Sequence, residues 1–127
     1  MKKQLNCVKR FHETYKLGYN LKPIANLGKE KNTLRYNLMF EENDEYISAA
    51  NNNDVVEVAD ALGDMLYILC GTIIEHGMQD IIEPIFDEIQ KSNMSKLDED
   101  GNPILRYDGK VLKGPNYFKP NFDKFFK

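Results

Sequence analysis

Apolar residues recur at helical spacing over four stretches of the chain. In the first, residues 3–16, Leu5, Val8, His12 and Tyr15 share a stripe with Phe11 beside it. Residues 17–32 break the pattern with Gly18, Pro23, Gly28 and several asparagines, and read as a long loop or a pair of turns. A second helix is predicted from Thr33, a suitable N-cap, to Ala50, where the Asn51–Asn53 run ends it. A third follows from Asp54 to His76 with Gly77 as its stop signal. Its apolar residues cover most of its circumference, which places it in the middle of a bundle or at a subunit interface. The fourth starts near Pro84, a favoured first-turn residue. Ile85, Ile89 and Asn93 then recur four apart towards Lys96.

The helical period stops after Leu97. Asp100-Gly101 and Asp108-Gly109 are turn signals, and "PILRY" and "KVLKG" flank the second as the arms of a short hairpin. The expected fold is all-α, with a four-helix bundle-like core over about residues 3–97 and a C-terminal arm or lid over about 98–127. A chain of 127 residues is expected to be one domain. There is no internal repeat and no low-complexity segment.

The third helix carries an anomaly. "EVADALGDMLYILCGTII" is mostly apolar yet holds Glu57, Asp60 and Asp64. At about 100° per residue the three acids fall within about 60° of one another and form one stripe. The second helix repeats the pattern in "MFEENDEY", where Glu42 and Glu45 are neighbours on one face, Glu41 flanks them and Asp44 points away. A short Asn-rich connection makes the two helices antiparallel neighbours, so Glu42 and Glu45 can face Asp60 and Asp64. Carboxylates clustered without cysteine or histidine suit a hard cation, magnesium above all. Two blander readings stand beside this one. Glu57 lies three residues after Asp54 and fits a capping arrangement, and Asp64 could pair with a lysine or with Arg35.

Composition removes other classes. The net charge of −3 gives no electrostatic footprint for duplex nucleic acid. The longest apolar run is broken by acids and Gly71, so no membrane span is expected. Cys7 and Cys70 make neither a metal-ligand spacing nor a disulfide framework, and Cys70 reads as a core residue. No long apolar run follows Lys2 and Lys3, so no signal peptide is expected and the cytoplasm is the expected compartment. His12 and His76 lack the Glu-x-x-His context of a di-iron bundle. "DEDG" at 98–101 fails the register of a calcium loop and reads as a turn.

"EENDE" at 41–45 resembles the EExxE element of the all-α nucleoside triphosphate pyrophosphohydrolases. That superfamily includes the MazG proteins, the dimeric dUTPases and the phosphoribosyl-ATP pyrophosphohydrolases. "EVAD" at 57–60 meets the ExxD element, and "LGDMLY" at 62–67 is similar to the LGDLL-type segment of MazG proteins. If Asp64 is the family's aspartate, the matching glutamate position holds Ala61. If it is Asp60, Glu57 matches and Asp64 is an additional acid. "VKRFHETY", "SNMSK" and "KGPNY" resemble segments of a MazG-like subgroup, so the resemblance covers nearly the whole chain.

The resemblance implies magnesium-dependent cleavage between the α and β phosphates, giving a nucleoside monophosphate and pyrophosphate. It also implies a tight homodimer or homotetramer with sites near the subunit interface. The same resemblance implies that manganese can take the place of magnesium. Glu42, Glu45, Glu57, Asp60 and Asp64 are the candidate metal ligands. Glu41 is the candidate for orienting or deprotonating the attacking water, and Glu42 can exchange roles with it. Asn93, Lys96, Lys110, Lys113 and Tyr117 are the substrate-binding candidates, with Arg106 beside them in a possible lid. Tyr117, Tyr67 or Phe11 could stack on a base or simply pack. Two alternatives stay open: the same chemistry on another pyrophosphate ester such as phosphoribosyl-ATP, or a catalytically silent helical dimer acting as a binding module.

Overall fold

The computed structural model describes residues 1–127. It is all-α, as expected: α1 (Lys2–Thr14), α2 (Lys29–Asn51), α3 (Val55–Glu75) and α4 (Ile82–Met94), with a short 3-10 turn at Asp123–Phe125 and no strand. The chain forms two compact units, Met1–Asp80 and Ile81–Lys127. No helix is long and apolar enough to cross a membrane.

In the first unit α3 packs against both α1 and α2. Leu5 and Val8 from α1, Ala49 from α2, and Ala61, Cys70, Ile73 and Ile74 from α3 form the core. The α1 stripe reaches only His12, because the helix ends at Thr14 and leaves Tyr15 exposed as its C-cap. Helix α2 starts at Lys29, ahead of the expected Thr33, with Gly28 as N-cap at φ 98°. Asparagines organise that start. Asn26 Oδ1 accepts from the Gly28 N–H at 2.9 Å and from Asn32 Nδ2 at 2.8 Å, and Asn32 Oδ1 accepts from the Leu27 N–H at 3.0 Å.

The segment between α1 and α2 finishes α3. A helix leaves its last carbonyls unpaired, and here the loop supplies donors. The Asn20 N–H donates to Ile74 O at 3.0 Å, Asn20 Nδ2 to Glu75 O at 2.6 Å, and the Ile24 N–H to His76 O at 3.0 Å.

A polar knot ties α2 to α3. Arg35 Nη1 lies 3.2 Å from Glu75 Oε2, and Lys31 Nζ lies 3.0 Å from Glu75 Oε1. Arg35 also donates to Thr72 Oγ1 at 3.0 Å and to Ile68 O at 2.8 Å. Arg35 and Glu75 are 8% and 3% exposed, so both charges are desolvated and depend on these partners. Burial lowers the Arg35 pKa from its ordinary value, and the Glu75 charge opposes that shift. Gly71 makes the knot possible: a Cβ there would come within 2.6 Å of Arg35 Nη2 and 2.9 Å of His12 Nε2. His12, buried, donates from Nδ1 to Gly18 O at 2.9 Å.

In the second unit the C-terminal arm folds onto α4, which ends at Met94, short of Lys96. Ser92 Oγ donates to Phe118 O at 2.8 Å, and Ser95 Oγ accepts from the Phe118 N–H at 3.2 Å. "SNMSK" and "KGPNY" are therefore two halves of one contact. Lys124 pairs with Glu88 at 3.0 Å and anchors the 3-10 turn. That hydrogen bond, with a second from the Asn121 N–H, lowers the Glu88 pKa. The expected hairpin is reduced to one antiparallel bridge, Leu105 to Val111, because the arms are too short to build a ladder. The Asp98 carboxylate accepts from the Asp100 and Asn102 N–H groups, so "DEDG" is a turn.

Gly114 sits against the Leu97 carbonyl, where a Cβ would overlap it. Gly114→Ala is expected to lift the arm, because the obstacle is backbone and cannot rotate away. The cost should be about 1–3 kcal/mol, as for other overpacked sites. Faster hydrogen exchange at the Phe118 amide would report it; unchanged exchange would show that the turn absorbs the methyl.

Candidate functional site

The register of α2 against α3 is set by the polar knot at one end and a three-residue connection, 52–54, at the other. Arg35, early in α2, reaches Thr72 and Glu75, late in α3, so the helices run antiparallel. That register turns the acids of α2 towards those of α3.

Glu42 is the centre of the result. It is half-buried, and its Oε2 is fully shielded with no hydrogen-bond partner. Burial pushes its pKa up, a hydrogen bond to Glu45 adds to that, and the charges of Glu45, Asp64 and Asp60 add more. The value rises from 4.5 to about 7. A carboxyl raised in this way by neighbouring carboxylates is the mark of a site short of positive charge. Glu41 is exposed and is not among the groups acting on Glu42.

Glu57 belongs to an adjoining groove of about 400 Å³ lined by Glu45, Ser48, Asn52, Asp54, Glu57 and Asp60. The capping arrangement is half-formed. Asp54 Oδ1 accepts from the Glu57 N–H at 3.1 Å, as an N-cap should. The Asp54 N–H, which a capping Glu57 would accept, donates instead to Ala49 O at 3.0 Å. The Glu57 side chain is thus left to the groove. Arg35, the alternative partner for Asp64, is committed to Glu75, Thr72 and Ile68. Ser48 and Asn52 escaped the sequence reading. Ser48 lies one turn after Glu45, which was its signal, and Asn52 looked only like a helix terminator.

No three His, Cys, Asp or Glu side chains are set close enough to hold a metal ion as they stand. The donor set nevertheless suits one. It is all carboxylate, it carries an orphaned shielded oxygen at Glu42, and magnesium needs only one or two protein carboxylates before water and phosphate complete its shell.

The remaining candidates lie in the second unit. Asn93 and Lys96 line a cavity of about 410 Å³ with Met94, Leu97, Pro103 and Val111. Lys113 Nζ sits 4.9 Å over the Tyr117 ring, a cation–π contact. Lys110 is held by its backbone, its N–H donating to Asp108 Oδ1 at 3.3 Å. Arg106 is engaged by Asp108, its Nε donating at 2.8 Å, which raises the Arg106 pKa and lowers that of Asp108. In the first unit Phe11 stacks edge-on against Tyr67 at 5.5 Å.

An all-helical chain that turns the acids of two antiparallel helices towards each other has the features of the MazG-like, all-α pyrophosphohydrolases. Residues 8–93 match the phosphoribosyl-ATP pyrophosphohydrolase family, and the chain belongs to it. It is thus a member of an enzyme family of pyrophosphohydrolases acting on nucleotide-like substrates. No curated protein gives a significant match to the chain.

Proposed function

We propose that the protein is a magnesium-dependent nucleoside triphosphate pyrophosphohydrolase that releases a nucleoside monophosphate and pyrophosphate. The observation that carries this reading is Glu42, raised to about 7 by burial first and then by Glu45, Asp64 and Asp60, with one carboxylate oxygen shielded and unpartnered. A purely acidic face repels a triphosphate, and only a cation reconciles the two. Glu42, Glu45 and Asp64, with one or both of Glu57 and Asp60, would hold magnesium. When bound, the ion would neutralise phosphate charge and make water easier to deprotonate. Glu41, next to Glu42 along α2, is proposed to take the proton of the attacking water on its carboxylate, with Glu42 as the alternative. Asn93, Lys96, Lys110 and Lys113 are the proposed partners of the far phosphates, and Tyr117 is a proposed partner of the base.

Self-association accompanies this reading. Val55, Val56 and Leu69 on α3 and Leu34, Tyr36 and Phe40 on α2 are 44–78% exposed, apolar side chains that self-association would take out of water. A homodimer or homotetramer would cover it. The cytoplasm is the proposed compartment, since the thiol of Cys7 is free and exposed.

A panel of canonical and modified NTPs and dNTPs, with magnesium, manganese or chelator, tests the proposal. Pyrophosphate and orthophosphate are assayed separately. Metal-dependent pyrophosphate with a monophosphate product is expected. Phosphoribosyl-ATP belongs in the panel because the matched family bears its name. Turnover of that compound alone would replace the triphosphate reading with this second one. No turnover, with no magnesium-dependent rise in Tm, would leave the silent binding module.

A further inference from the structure

Charge is segregated along the chain. Residues 1–35 carry nine lysines and arginines against two acids, Glu13 and Glu30. Residues 36–90 carry thirteen acids and no lysine or arginine. The net charge of −3 therefore conceals a strongly basic N-terminal stretch.

Helix α1 gathers part of that charge on one side. Lys2 and Lys9 are seven residues apart, as are Lys3 and Arg10, so at about 100° per residue the four share an arc of about 120°. Leu5, Val8 and His12 occupy the remaining side and are buried. Glu13 is the one acid of the helix, and Lys16 follows just past its end. A helix face that is merely solvated carries charges of both signs. None of these five cations is engaged in an ion pair.

Aromatic rings flank the cations. Lys9 Nζ lies 5.3 Å over the Tyr19 ring. Beyond Arg10, the Phe11 ring stands 4.6 Å from Tyr15 and 5.5 Å from Tyr67. Tyr15 is 64% exposed, so a flat group can reach it.

We propose that the basic face of α1 is a binding surface for single-stranded nucleic acid, separate from the carboxylates of α2 and α3. The cations take the phosphates, and Tyr15, backed by Phe11, stacks on a base. Cations alone would suit any polyanion; the ring beside them suits a strand whose bases are free. A duplex hides its bases, and its second row of phosphates would approach the acids of α2 and α3. An anionic membrane fits less well. A helix lying in a bilayer surface buries its apolar face there, and that of α1 is committed to the core. No part of this rests on the triphosphate reading.

Fluorescence anisotropy with a labelled oligothymidylate, in chelator, tests the proposal. Chelator keeps any metal from bridging phosphates to the acids of α2 and α3. Binding is expected, with log affinity falling against log salt at a slope of about −3, from about four phosphate contacts at about 0.7 each. Lys9→Gln combined with Arg10→Gln should bring the slope to about −1.5. Tyr15→Ala should weaken binding by about fivefold or more and leave the slope unchanged, as the loss of one stacked base does. The oligothymidylate annealed to its complement should bind more weakly, and phosphatidylserine vesicles should not retain the protein. Neither variant should alter triphosphate hydrolysis. No binding overturns the proposal, as does binding that survives the Lys9 and Arg10 changes with its slope intact. An unchanged affinity in Tyr15→Ala, or a duplex bound as tightly as the single strand, would leave a polyanion surface that reads no bases. Retention on vesicles would assign the face to a membrane instead, and a parallel loss of hydrolysis would assign it to the substrate; either result refutes the proposal.

Discussion

Arg35→Ala is expected to lower the unfolding free energy of the protein by about 3 kcal/mol or more, the scale of removing one partner from a buried ion pair. Glu75 would keep Lys31 at 3.0 Å, which holds the effect towards the lower end of the usual range. The loss goes beyond charge. Arg35 also serves Thr72 Oγ1 and Ile68 O, so alanine leaves a void beside Gly71. Urea unfolding of wild type, Arg35→Ala, and Arg35→Met combined with Glu75→Leu would check this. The double variant should recover much of the loss, because two apolar groups replace two desolvated charges. A single variant within about 0.5 kcal/mol of wild type, the range of ordinary surface changes, would show that the knot does not hold the helices.

The second large effect concerns Glu42. Its folded pKa of about 7 lies above its ordinary 4.5, so between those values the folded state keeps a proton that the unfolded state has released. The folded state binds more protons in that window, and stability therefore falls as pH rises through it. In chelator, Tm should drop from pH 5 to pH 8, and magnesium should restore it most at the alkaline end, where Glu42 is ionised and able to ligate. Glu42→Gln should flatten both responses, raise the metal-free Tm above pH 7 and reduce turnover by at least about 100-fold. That is the upper scale for losing even an outer-sphere partner of a metal. The same pH slope in wild type and Glu42→Gln would mean that Glu42 does not carry the strain of the acidic face.

Much of the acidic face was legible in the chain. The stripe of Glu57, Asp60 and Asp64 and the pair Glu42 and Glu45 follow from helical period alone, since side chains three and four apart must share a face. Helix starts were less legible. Thr33 has the chemistry of an N-cap, yet contacts from Asn26 and Asn32 begin α2 earlier, and a local propensity yields to several hydrogen bonds. The 17–32 segment looked like connection only. Its work as the C-terminal cap of α3 depends on Asn20 and Ile24 meeting residues more than fifty positions away.

The sequence by itself determined the all-α class, the four helices, and which acids lie on one face of each helix. These are consequences of short-range geometry, in which each residue constrains neighbours within one or two turns. Only the tertiary structure decided that Arg35 serves Glu75 and leaves Asp64 unpaired. It also decided that Glu42, among five similar acids, is the one shielded and raised. Burial and charge coupling depend on which surfaces are brought together, and no local pattern records that.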